Sequence, residues 1–104
     1  MDKVVWKGEI LPGMRDEYIR RHDEIWPEMV AALKASGITN YSIWNHGNEL
    51  IGYYECPDAE SAAEFKRNSE VMQRWSASMR HVMRMVVDGA TQKNVTYEKV
   101  FELD

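Results

Sequence analysis

The chain has 104 residues, of which 44% are hydrophobic and 29% are charged, and its formal net charge is −4. This length suits a single domain over residues 1–104, because such a chain can bury one core but not two. The acidic balance argues against a nucleic-acid partner, which would require a basic surface to offset phosphate charge.

The beginning of the chain predicts a strand followed by a broken helix. Residues 3–11 are rich in β-branched and aromatic types, which favours a strand. Residues 14–36 carry a helical period, and Gly37 should end that helix. Pro27 cannot donate a hydrogen bond to the preceding turn, so we expect a kink or short break near Trp26.

The middle of the chain predicts a hairpin and two more helices. Residues 38–45 and 49–56 alternate in polarity as strands joined by a tight turn. Residues 58–67 resemble a short helix with Asp58 as its cap. An apolar stripe over residues 70–86 predicts a further helix.

Residues 95–103 alternate again and complete the prediction as a last strand. The resulting order is that of an α+β protein of the ferredoxin-like, split βαβ type: an antiparallel four-stranded sheet with helices on one face. Such a sheet leaves its second face uncovered, and large residues fall on both faces of its strands. We therefore expect a homodimer that buries the second face.

A tyrosine and a histidine, Tyr18 and His22, fall one turn apart on the apolar side of the first helix. They share that side with Ile25, Trp26, Met29 and Leu33. His22 is either a core residue whose ring nitrogens are satisfied internally, or a proton-transfer group that faces a pocket. The helical period alone does not decide between them.

Aromatic side chains offer a similar choice. Trp75 either fills the core or forms a stacking wall for a ligand. A flat aromatic face together with the hydroxyls of Tyr18 and Tyr41 suits the C–H surface and the oxygens of a sugar. Trp44 and the pair Tyr53-Tyr54 are compatible with either environment.

Other chemistries lack support in the sequence. His46 falls at a turn and His81 on a polar helix face, so the histidines do not converge, and no metal site is expected. No glycine-rich phosphate loop, Gly-x-Ser-x-Gly elbow or dinucleotide fingerprint is found. The lone cysteine, Cys56, forms no internal disulfide and suggests a reducing, cytoplasmic location. No run approaches the roughly 18 apolar residues that cross a membrane, so no membrane partner is expected.

One long segment resembles the signature of the L-rhamnose mutarotase family. This segment reads Glu17-Tyr18-Ile19-Arg20-Arg21-His22-Asp23-Glu24-Ile25-Trp26-Pro27-Glu28. Shorter stretches also match, so the likeness spans nearly the whole chain: residues 40–43, residues 72–75 with Met79, and residues 100–103.

The resemblance implies a dimeric α+β barrel and a cofactor-free enzyme that interconverts the α and β anomers of a small monosaccharide. It implies that His22 is the catalytic proton donor and acceptor. It also implies that Tyr18, Tyr41 and Trp75 contact the sugar. The group that exchanges the second proton stays open, since Tyr18, Tyr41 and water all fit.

Two departures from the family pattern affect surfaces that should face the substrate. Trp75 is followed by Ser76, where the family carries a second tryptophan, and residues 84–87 lack an expected proline. The reaction class therefore carries over better than the identity of the sugar. The alternatives are a small monooxygenase that shares this fold and a ligand-binding dimer without catalysis.

Overall fold

The computed structural model describes all 104 residues. In chain order the elements are β1 (Asp2–Ile10), α1 (Arg15–Asp23), α2 (Pro27–Ala35), β2 (Thr39–His46), β3 (Glu49–Cys56), α3 (Ala59–Asn68), α4 (Glu70–Ser78) and β4 (Met83–Met85). The strands form one antiparallel sheet in the order β2-β3-β1-β4. This is the split βαβ arrangement, so the predicted α+β, ferredoxin-like class is confirmed.

The helices cover one face of the sheet, as predicted. The main core lies between the sheet and the helices. Ile10 of β1 and Leu50 of β3 are 1% and 0% exposed. They pack against Tyr18 of α1 and against Met79 and Val82, which follow α4. A second, smaller cluster consists of Ile38, Cys56 and Ala62.

The predicted break in the first helix is found. Trp26 has extended backbone (φ −59°, ψ 133°) and separates α1 from α2, with Pro27 in the first turn of α2. Proline is favoured there because its missing amide hydrogen has no partner in the first turn. Gly37, at φ +88°, follows the end of α2. The predicted cap of α3 is also present, since the Asp58 carboxylate accepts from the Ser61 amide.

The helix predicted over residues 70–86 is confirmed as far as Ser78 and is wrong beyond it. Helix α4 ends at Ser78, and residues 83–85 form β4, which pairs with residues 8–10 of β1. Arg84 turns to the uncovered face, where it forms an ion pair with Glu9. The apolar residues of this stretch fit a helical period and a short strand equally well, and only the distant partner strand decides between them.

The predicted last strand over residues 95–103 is also wrong. Thr96 forms one isolated bridge with Trp6, and the Tyr97 amide donates to the Val5 carbonyl at 3.2 Å. The β1 edge at residues 8–10 is already paired with β4, so this tail reaches β1 only beyond that point. The tail then leaves three apolar side chains largely exposed: Val100 at 91%, Phe101 at 78% and Leu103 at 84%.

None of the helices combines the length and the apolar character that crossing a bilayer requires.

Candidate active site

Helix α1 places the His22 ring over the Tyr18 ring, with centroids 4.2 Å apart. The His22 Nδ1 atom lies 3.0 Å from the Tyr18 carbonyl oxygen, one turn earlier. A carbonyl oxygen can only accept, so Nδ1 carries the hydrogen and donates it. The other nitrogen, Nε2, is then the one with a lone pair for a ligand.

The environment of His22 favours its neutral form. Burial lowers the pKa of His22 below its ordinary value, because the apolar surroundings disfavour the imidazolium. The hydrogen bond to the Tyr18 carbonyl and the charge of Asp23 act in the opposite direction and only partly offset burial. His22 at neutral pH is therefore a base whose lone pair is on Nε2.

Tyr18 is 5% exposed, and its hydroxyl has no hydrogen-bond partner in the protein. A buried polar group in that condition costs on the order of 1–3 kcal/mol. Burial raises the pKa of Tyr18, and so does the neighbouring Tyr41 hydroxyl, because the two groups would repel each other when ionised. Both tyrosines stay protonated near neutral pH, and the Tyr18 hydroxyl keeps an unused donor and acceptor.

Trp75 of α4 closes one side of this group. The His22 and Trp75 rings are nearly perpendicular, with centroids 5.5 Å apart and planes at 85°. The Trp26 and Trp75 rings are arranged similarly, at 5.2 Å and 87°. Sequence reasoning placed Trp26 on the His22 side of the helix but did not include it in the site. Ser76 is half-buried beside Trp75, so Trp75 has no tryptophan next to it in α4.

Tyr41 of β2 receives a hydrogen bond from a residue that sequence reasoning missed. The Trp6 Nε1 atom donates to the Tyr41 hydroxyl at 3.0 Å. Tyr41 is 38% exposed, but the protein crowds its hydroxyl, and this burial raises the pKa of Tyr41 to about 12. Trp6 packs against the same core cluster as Trp75.

Of the remaining candidates, Tyr54 adjoins this group through Tyr41, whereas Trp44 lies on the other face of the sheet. Trp44 is 69% exposed on the uncovered face, and Tyr54 packs beside Tyr41 with ring centroids 5.2 Å apart. His46 is exposed at the end of β2, while His81 follows α4 and contacts Arg21 at 3.1 Å. No three His, Cys, Asp or Glu side chains gather as a metal site would require.

A surface depression of about 400 Å³ lies elsewhere on the molecule. Its lining is formed by Ser61, Glu64, Phe65, Asn68 and Ser69. These side chains offer neither a histidine nor an indole, so we place the candidate active site at the group around His22.

Comparison with known proteins places this chain among the carbohydrate isomerases that interconvert anomers. A family model described as L-rhamnose mutarotase matches residues 3–103. The chain therefore belongs to the L-rhamnose mutarotase family. This assignment supports the isomerase over the monooxygenase and over the ligand-binding dimer.

Individual relatives agree over most of their length. An L-rhamnose mutarotase of Oceanobacillus iheyensis is 40% identical over 97 residues, covering 91% of both chains. One from Mesorhizobium japonicum is 42% identical over 84 residues, covering 79% of both. The crystal structure of an L-rhamnose mutarotase from Formosa agariphila superimposes over the full length of both chains, with a TM-score of 0.78 and 25% identity.

Proposed function

We propose that this protein interconverts the α and β anomers of L-rhamnose or a closely related pyranose, with His22 as the catalytic base and acid. The observation that carries the proposal is the buried, unpartnered Tyr18 hydroxyl stacked beneath a neutral His22. The names of the relatives support the choice of sugar.

Anomer exchange requires two proton transfers at one hemiacetal. Nε2 of His22 takes the proton of the C1 hydroxyl while the ring oxygen receives a proton from a second group. The bond between C1 and the ring oxygen breaks, and the open aldehyde forms. C1 turns about its bond to C2, and the reverse transfers close the ring on the other face. A histidine suits this exchange because its pKa lies close to the working pH.

Trp75, Tyr18 and Tyr41 have distinct tasks in this proposal. The Trp75 indole packs against the C–H surface of the sugar, and the two phenol hydroxyls bond its oxygens. Trp75 meets His22 edge to face, so a sugar on the indole would lie beside the imidazole.

The proposal is tested by saturation-transfer NMR of anomeric exchange at equilibrium. L-rhamnose, L-fucose and several neighbouring sugars are compared with and without the protein. We expect faster exchange for L-rhamnose or for a close relative of it. Uncatalysed rates for every sugar would contradict the proposed function.

Tyr18→Phe should separate binding from folding. Removing a buried hydroxyl that has no partner should leave the free energy of unfolding unchanged or raise it by on the order of 1 kcal/mol. Losing the bond to the sugar should raise the KM. Thermal unfolding and exchange kinetics measure both, and a variant with wild-type KM would leave Tyr18 only a packing role.

We also propose a homodimer formed through the uncovered face of the sheet. Trp44 is 69% exposed there, and Val5, Ile51 and Tyr53 lie on the same face by strand register. The apolar tail, with Val100 and Phe101 exposed, supplies further surface that one chain does not cover. Exposed apolar side chains of this kind are typical of a surface that contacts another protein.

Trp44→Glu should convert this dimer to a monomer, because a charge would be buried at the interface without a partner. Sedimentation analysis measures the mass in solution. Ala63→Glu is the control, since Ala63 is exposed on α3, on the opposite side of the sheet. A monomeric wild type, or a dimer that survives Trp44→Glu, would contradict this interface.

A cytoplasmic location is part of the same proposal. Its support is Cys56, which is buried as a free thiol and therefore suits a reducing compartment.

A further inference from the structure

Trp6 lies over two glycines of the sheet. Gly52 is directly opposite Trp6 in the pairing of β1 with β3. A Cβ atom at Gly52 would lie 2.0 Å from Cε2 of the indole, and one at Gly8 would lie 2.9 Å from Cζ3. The indole therefore occupies the space that side chains at positions 8 and 52 would need, and this close packing fixes its position.

Because the Trp6 indole is held in place, it determines which hydrogen bond the Tyr41 hydroxyl accepts. Indole Nε1–H can only donate, so the Tyr41 oxygen accepts at 3.0 Å. The proton of Tyr41 is not donated to any protein atom. Tyr18 differs, because its hydroxyl oxygen accepts no hydrogen bond and no protein group orients the hydroxyl.

We infer that Trp6 is a positioning residue that directs the Tyr41 proton toward the sugar and so makes Tyr41 the second proton-transfer group. This inference rests on the proposed function. As the bond from C1 to the ring oxygen breaks, Tyr41 gives its proton to the ring oxygen while His22 holds the proton of the C1 hydroxyl. Ring closure returns both protons, and the Trp6 N–H stabilises the phenolate in between.

Acidity also favours Tyr41 over Tyr18. Burial raises the pKa of both phenols, but the bond from Trp6 lowers that of Tyr41, whereas Tyr18 has no such donor. A hydrogen bond to the charged form favours that form. Of these two phenols, Tyr41 is thus the better acid.

A double-mutant cycle on Trp6 and Tyr41 tests the inference. Trp6→Phe keeps an aromatic ring but removes the N–H, and we expect kcat to fall by about 3- to 10-fold, as for the loss of one hydrogen bond. Tyr41→Phe should reduce kcat by on the order of 10²-fold or more. In the Tyr41→Phe background, Trp6→Phe should cause no further loss. Equal losses in both backgrounds, or a normal kcat for Trp6→Phe, would overturn the inference.

A readout without substrate separates this inference from the proposed function. The ¹³C NMR shift of the Tyr41 phenol carbon reports the bond from Trp6, and it should change in Trp6→Phe. Trp44→Phe is the matched control, because Trp44 bonds Ser42 on the uncovered face. An unchanged Tyr41 signal in Trp6→Phe would overturn the positioning role even if the wild type accelerates exchange. If the signal changes but the wild type does not accelerate anomeric exchange, the proposed function is contradicted. The proton transfer assigned to Tyr41 is then contradicted as well.

Discussion

His22→Ala is expected to lower kcat for anomeric exchange by on the order of 10²- to 10⁴-fold, the usual contribution of a positioned acid–base group. The fold should persist, because the ring is only partly buried and its one hydrogen bond is to the Tyr18 carbonyl of its own helix. Equilibrium NMR exchange measures the rate, and circular dichroism measures the fold.

His46→Ala is the control for that variant. His46 is exposed at the end of β2, away from the candidate site, and its loss should leave kcat and stability unchanged. If His22→Ala were as active as His46→Ala, another residue would have to carry the proton.

The pH dependence of kcat/KM, which reports the free enzyme, should follow the same histidine. The active form is the neutral one, so activity should be present at neutral pH and fall as the pH drops through the pKa of His22. Because burial lowers that pKa, the fall should occur below pH of about 6.5, the ordinary value. Asp23→Asn removes a charge that raises the pKa of His22 and should move the fall to still lower pH. A shift to higher pH would contradict this electrostatic account.

Gly52→Ala should cost about 1–3 kcal/mol in the free energy of unfolding, as overpacking of a core usually does. The new Cβ would lie 2.0 Å from the Trp6 indole, which must move and lose its bond to Tyr41. We therefore expect kcat to fall together with the midpoint of denaturant unfolding.

Gly89→Ala is the matched control for this substitution. A Cβ at Gly89 meets no atom within 4 Å, and its φ is not positive. Its stability should stay within about 0.5 kcal/mol of the wild type. Equal stabilities for the two variants would show that the indole adapts freely and is not fixed by the glycines.

The sequence predicted the elements whose signals are local. Pro27 marked the helix break, and Asp58 marked the cap of α3. The last quarter of the chain was predicted wrongly, because β4 is only three residues long and depends on pairing with the distant β1 edge. The alternation at residues 95–103 is real, but that edge is already occupied by β4 over residues 8–10.

The candidate site was predictable to the extent that one helix defines it. Tyr18 and His22 share a face by spacing alone, and the structure stacks them. The contact of His22 with Trp75 depends on how distant helices pack, which spacing does not show; the resemblance implied only that Trp75 contacts the sugar. The role of Trp6 was not predicted, because it depends on strand register. Only the pairing of β1 with β3 places Gly52 beneath Trp6.

The central position of β1 has a consequence for how the molecule is made. β1 is synthesised before the two strands that flank it, so its hydrogen-bonding edges stay unpaired until residues 49–56 and 83–85 have been made. Pairings between residues so far apart in sequence form slowly, because the intervening loop must close first. Trp6 is thus synthesised well before Gly52, the residue over which it packs. The hydrogen bond from Trp6 to Tyr41 therefore forms only after β1, β3 and β2 have come together.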